Sequence, residues 1–93
     1  MKIYQSRLFE KKIKKMSKGE KDVLDREVRN IAENLNIGEA KKGDLKGVFV
    51  HKFKLKTNLY LLSYRKMGVD LELIMIGSHE NYYRDLKSYL KSR

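Results

Sequence analysis

Ninety-three residues make one small domain, with no room for a second core, and they carry a formal charge of +10. No cysteine and two histidines exclude disulfides, zinc–thiolate sites and a thiol nucleophile, and a structural metal is not expected. Hydrophobic residues at 41% are enough to fold the chain despite its charge, and basic domains of this kind favour phosphate backbones, acidic membranes or acidic protein partners.

Residues 2–6 read as a short strand with Ile3 inward. The segment Met1–Arg7 holds no apolar core of the length a secretory signal needs. No run approaches the roughly 20 apolar residues of a membrane span, so a cytoplasmic protein without a membrane partner is expected. From Arg7 the spacing becomes helical: Leu8, Phe9, Ile13 and Met16 share a side, and Lys11, Lys12, Lys14 and Lys15 form a solvated face. Ser17-Lys18-Gly19-Glu20 is a capping-box pattern opening a second helix. Its apolar stripe is Leu24, Val28, Ile31 and Leu35, and Asn36-Ile37-Gly38 ends it, with the glycine expected in the left-handed conformation. The two helices read as an antiparallel hairpin.

Ala40 to Gly47 is a polar connection. Three strands follow at about 48–55, 58–66 and 69–76, with turns at Thr57-Asn58 and Lys66-Met67-Gly68 short enough to make them antiparallel neighbours. In the third, Leu71, Leu73 and Met75 alternate with Glu72, Ile74 and Ile76, so it is buried on both faces. A last helix begins at Ser78 or His79, with Tyr82, Leu86, Tyr89 and Leu90 on one side. The order β-α-α-β-β-β-α predicts an α+β fold, a small antiparallel-dominated sheet with the helices against one face.

Charge is distributed unevenly along these elements. Residues 1–18 hold seven Lys or Arg against Glu10, and residues 41–67 hold eight against Asp44, whereas residues 19–40 hold three against six acids. A one-sided field is expected, and Lys52-Phe53-Lys54-Leu55-Lys56 is its focus. Alternation in a strand sends Lys52, Lys54 and Lys56 one way and Phe53 and Leu55 the other. Such a strand anchors one face in the core and offers the other to a polyanion, with the His and Tyr residues of 79–83 at the rim. The plain alternative for the lysines is edge protection against aggregation. For His51, which alternates with Phe49 and Phe53, it is a core histidine, and for His79 it is a helix cap.

Three segments together carry a family resemblance: Lys42-Gly43-Asp44-Leu45-Lys46-Gly47, Leu59-Tyr60-Leu61-Leu62-Ser63-Tyr64 and Gly77-Ser78-His79-Glu80-Asn81-Tyr82-Tyr83. In order and spacing the chain resembles the RelE/ParE superfamily of toxins from bacterial type II toxin–antitoxin modules, nearest to its histidine-containing, YafQ-like branch. The resemblance implies a RelE-like fold, no cofactor or metal, and a cognate acidic antitoxin whose tail wraps the toxin. It also implies one of two targets: messenger RNA on the ribosome, cut by RelE-type members, or DNA gyrase, inhibited by ParE-type members. Lys52 and Lys54 match the lysine pair of the nucleases, His79 a functional His or Arg after the last strand, and Tyr83 the aromatic that stacks on a base. His51 lies near a further acid–base histidine of that branch. Lys46, Lys56, Arg65, Tyr82 and Arg84 are the accompanying candidates for RNA contact.

The family arginine that holds the scissile phosphate falls here at Leu61. Arg65 shares its strand face and is the nearest substitute, but loss of the arginine fork removes bidentate contacts to phosphate. Cleavage of RNA needs a base for the 2′-hydroxyl, positive charge for the transition state and an acid for the leaving oxygen. His79 and His51 have the chemistry for the proton transfers, and Lys52 and Lys54 for the charge. A lysine whose neighbour favours its neutral form is itself a candidate base. Three functions follow: a ribosome-dependent endoribonuclease, a gyrase inhibitor, or a non-catalytic basic module that binds antitoxin or RNA.

Overall fold

Two serines start the helical hairpin by the same device. Ser6 accepts from Phe9 N at 3.0 Å ahead of α1 (Arg7–Ile13) and donates to the Ile74 carbonyl at 2.5 Å, which ties the helix start to the sheet. Ser17 and Glu20 exchange side chain–backbone hydrogen bonds in a complete capping box ahead of α2 (Lys18–Glu33). Each such cap stabilises its helix by about 1 kcal/mol. α2 buries Leu24 and Ile31, with Val28 and Leu35 packed partly against the same core.

α2 ends at Glu33, earlier than the sequence reading, and Gly38 is not left-handed. Its glycine serves a close approach instead. Gly38 N donates to the Tyr64 hydroxyl at 2.9 Å, and a Cβ there would come within 2.7 Å of that oxygen. The same hydroxyl donates to the Leu35 carbonyl at 2.9 Å, so Tyr64 fastens the end of α2 to the sheet.

The computed structural model describes all 93 residues, with strands β1 (Ile3–Gln5), β2 (Glu39–Ala40), β3 (Val48–Leu55), β4 (Asn58–Met67) and β5 (Asp70–Gly77), and a third helix, α3 (Tyr82–Lys91). The sheet order is β1-β5-β4-β3-β2; β1 runs parallel to β5 and every other neighbour is antiparallel. This is the expected α+β fold with one strand more, since the short β2 forms at Glu39 and Ala40, where the segment read as a polar connection begins. The β3–β4 turn is Lys56-Thr57, one residue earlier than read, because Asn58 already pairs with Leu55. No helix is long and apolar enough to cross a membrane.

Both faces of the sheet are covered. The α1–α2 hairpin closes a core of Phe9, Leu24, Ile31, Phe53, Leu55, Leu62, Tyr64, Leu71, Leu73 and Ile76. α3 lies on the opposite face, over Leu45, Val48, Ile74 and Met75, contributing Tyr82 and Leu86. The expectation of helices on one face thus holds for the hairpin and not for α3. A β-bulge explains one further difference. Ser63 pairs with Met75 but Tyr64 pairs with Leu73, leaving Ile74 as an extra residue on β5. Ile74 and Met75 therefore both face α3, and Ile76 faces the hairpin, the reverse of strict alternation. Ile3, expected inward, is 44% exposed, since it sits on edge strand β1 beside a groove the hairpin leaves open.

Candidate functional site

Val48 and Val50, at the first end of β3, are buried on the α3 face. Further along the same face Lys52 and Lys54 stand exposed, while Phe53 and Leu55 are buried on the other. The third amine does not join them. β3 ends at Leu55, and Lys56 occupies the turn with φ 59°, so it leaves the strand's alternation. A tight hairpin needs positive φ in its turn, and that need overrides the lysine pattern.

Lys52 pairs in register with Leu61, and Leu61 with Gly77, so the three form one row across β3, β4 and β5. Adjacent strands are about 4.8 Å apart, which puts Gly77 about 10 Å from Lys52 along that row. The chain leaves β5 at Gly77 and delivers His79 two residues later. His79 Nε2 lies 3.0 Å from Asp85 Oδ2 of α3, and its ring stands 5.7 Å from that of Tyr82. A Cβ on Gly77 would come within 2.9 Å of His79 Nδ1, so the missing side chain at 77 makes room for the imidazole. His79 precedes α3 rather than starting it, and its polar partner is Asp85 rather than a lysine.

Tyr82 and Tyr83 divide as adjacent helical positions must. Tyr82 is buried: its hydroxyl donates to the Met75 carbonyl at 2.7 Å and lies 2.9 Å from Ser63 Oγ. Burial pushes that hydroxyl well above the ordinary tyrosine range. Tyr83 is half-buried, edge-on to Tyr82 with centroids 5.6 Å apart. Lys41 Nζ lies over the Tyr83 ring, 4.8 Å from its centroid, and donates to Glu39. The hydrogen bond from Lys41 holds the Glu39 carboxyl below its ordinary range, with the Lys41 charge and then, more weakly, that of Lys52 acting in the same direction. The same bond raises Lys41. Sequence reading missed both residues, because only the pairing of β2 with β3 sets Glu39 opposite Val50, two residues from Lys52, and Lys41 opposite Val48.

Other candidates lie elsewhere. His51 points to the hairpin face, where Nε2 meets Glu27 Oε1 of α2 at 2.7 Å and the ring stacks on Phe53. It joins α2 to β3 on the opposite side of the sheet from Lys52. Arg65 shares the lysine face but lies four residues from Leu61, about 13 Å along the strand. Its Nε bonds Glu72 Oε1 at 2.7 Å, and Arg93 takes the other carboxylate oxygen at 2.7 Å, so a buried acid holds both guanidinium groups. Lys46 precedes β3 at the end away from Lys54, two residues before Val48. Arg84 is exposed on α3 beside Asp85. A pocket of about 430 Å³ between α1 and α3 has His79, Asp85, Ser88 and Lys12 on its walls.

The family profile of the ParE-like toxins of type II bacterial toxin–antitoxin systems matches residues 3–87. Among curated protein sequences there is no match. Among solved structures, RelE in the intact E. coli RelBE toxin–antitoxin complex superposes with a TM-score of 0.68 at 20% identity, covering 85% of this chain and 96% of that one. A double arginine-to-alanine mutant of E. coli RelE in the free state gives 0.72 at 17% identity, covering 97% and 95%. The same mutant bound to a peptide of the antitoxin RelB gives 0.66 at 19%, covering 90% and 92%. At these identities the likeness is one of fold.

Proposed function

The chain belongs to the ParE-like toxins of type II bacterial toxin–antitoxin systems, and from that premise we propose that it blocks translation by cutting messenger RNA on the ribosome. The observation that carries the reading is the pair of exposed amines, Lys52 and Lys54, on the sheet face where Gly77 releases the His79 loop. Lys52 and Lys54 hold the scissile phosphate and stabilise the charge it gains as the 2′-oxygen attacks phosphorus and the 5′-oxygen leaves. His79 moves the proton, and Asp85, 3.0 Å from Nε2, holds the ring in place. Tyr83 stacks on an exposed base, a contact worth roughly 1–3 kcal/mol. Primer extension on transcripts after induction tests the reading: new ends inside translated codons support it, and intact transcripts with growth arrest reject it.

A second reading has its own observation. Leu61 stands where the resemblance places an arginine, and Arg65 is held by Glu72. A site without a guanidinium fork favours a gyrase-directed toxin, for which inhibition of supercoiling by purified gyrase is the direct assay. In either case the partner is an acidic antitoxin segment, drawn to the lysine face by charge and released more readily at high salt. The toxin–antitoxin complexes solved for RelE support that partner.

A further inference from the structure

We infer that Lys41 is a phosphate-binding residue of the RNA site, and that Glu39 occupies its amine in the free protein until an incoming strand displaces it. The inference rests on the RNA reading above and adds two residues to it. β2 consists of Glu39 and Ala40, paired with Val50 and Phe49, and Lys41 N continues the ladder to the Val48 carbonyl at 2.9 Å. Alternation then sets Glu39 and Lys41 on the face that carries Val48, Val50 and Lys52. The edge strand thus adds a cation whose backbone is level with Val48 and Arg65, four residues short of Lys52, and whose amine reaches back to Glu39, level with Val50. It also adds an anion.

The two side chains differ in cover. Glu39 is 66% exposed, whereas Lys41 is 20% exposed because Tyr83 lies beneath its amine. Glu39 is drawn by Lys41 first and by Lys52 as well, so it sits where the two positive fields overlap. A phosphate seeks the same place. An ion pair this open to water is weak, and a strand bringing a phosphodiester exchanges with it readily. The exchange has a second effect. While Lys41 covers the Tyr83 ring at 4.8 Å, no base can lie on that side of it. When the amine swings to a phosphate the ring is uncovered, so phosphate capture and base stacking are coupled through one lysine.

The test is binding of a short labelled single-stranded RNA, followed by anisotropy across a salt series, with thermal melts alongside. E39Q removes the competing charge and is expected to tighten binding about threefold to tenfold at low salt. K41M is expected to weaken binding and to reduce the slope of log affinity against log salt by about 0.7, the value for one lost phosphate contact on a single strand. K41R keeps the slope, which separates loss of the cation from loss of fold. An unchanged slope in K41M, or no tightening in E39Q, overturns the inference. K52M separates the two claims: if it too leaves the slope unchanged, the RNA reading falls; if it alone lowers the slope, only the role of Lys41 is lost.

Discussion

The two faces of the sheet are built on different terms. The hairpin face is an apolar core of ten buried residues, linked to α2 by the Tyr64 hydroxyl and the His51–Glu27 pair. The α3 face has a smaller apolar cluster of six buried residues and is threaded with polar bonds, from Tyr82 to Ser63 and Met75, and from Arg65 and Arg93 to Glu72. β3 contributes to both at once. Its Phe53 and Leu55 are part of the hairpin core while its Lys52 and Lys54 stand in water on the other side. Stability is thereby concentrated on one face, and the other can hold exposed cations in fixed positions without losing its support.

That division makes contrasting mutations informative. Leu62→Ala, at a residue with 0% exposure in the hairpin core, is expected to lower stability by about 3 kcal/mol in urea titration and to affect RNA cleavage only through that loss. Lys52→Ala with Lys54→Ala should do the opposite, lowering cleavage about 100-fold while the melting temperature stays within a few degrees of the wild type. A melting point that falls steeply in the lysine variant would erase the contrast between the faces.

Tyr82→Phe probes the polar side of the α3 face. It removes a buried hydrogen bond and should cost about 1–2 kcal/mol at neutral pH. Burial raises the Tyr82 hydroxyl above its unfolded value, so its contribution is fully present below about pH 10 and is lost as pH climbs further, where the unfolded chain releases the proton and the folded one does not. Tyr64 is shifted in the same direction by burial. The wild type should therefore lose stability between about pH 10 and 11, and Tyr82→Phe should lose less of it over that range. Equal slopes in chemical unfolding at the two pH values would contradict this.

Lys56→Gly is expected to have the smallest effect. A lysine at φ 59° is strained by about 1 kcal/mol, which glycine relieves, though its freer unfolded chain returns part of that gain. Stability should change by less than about 1 kcal/mol. RNA binding should hold, since this amine is off the Lys52–Lys54 face.

Much of this was legible in the chain. The capping box at Ser17, the alternation from Lys52 to Leu55 and the helical phase of Tyr82 and Leu86 are local patterns, and local patterns survive folding. What escaped depends on partners distant in sequence. Glu27 reads as one more acid on an acidic helix, and nothing near it marks His51 as its partner across 24 positions. Lys41 lies in a segment that reads as a loop until β3 pairs with it. Arg65, read as a free cation on the right face, is held by an acid on the neighbouring strand. The facing of Met75 and Ile76 was inverted because a bulge has no fixed sequence signature, whereas a count by twos assumes none.

The doubled step at Ile74 also bears on how the chain tolerates changes in length. Pairing with β4 is in register on either side of it, at Leu73 with Tyr64 and at Met75 with Ser63. Removing that one residue would heal β5 into regular alternation, with Gly77 still beside Leu61 and the His79 loop still leaving from the same point. Elsewhere in the strand a single deletion would turn every later side chain over. A homologue one amino acid shorter at this point can thus keep the same surface, and an alignment that places the gap anywhere else would pair residues from opposite sides of the sheet.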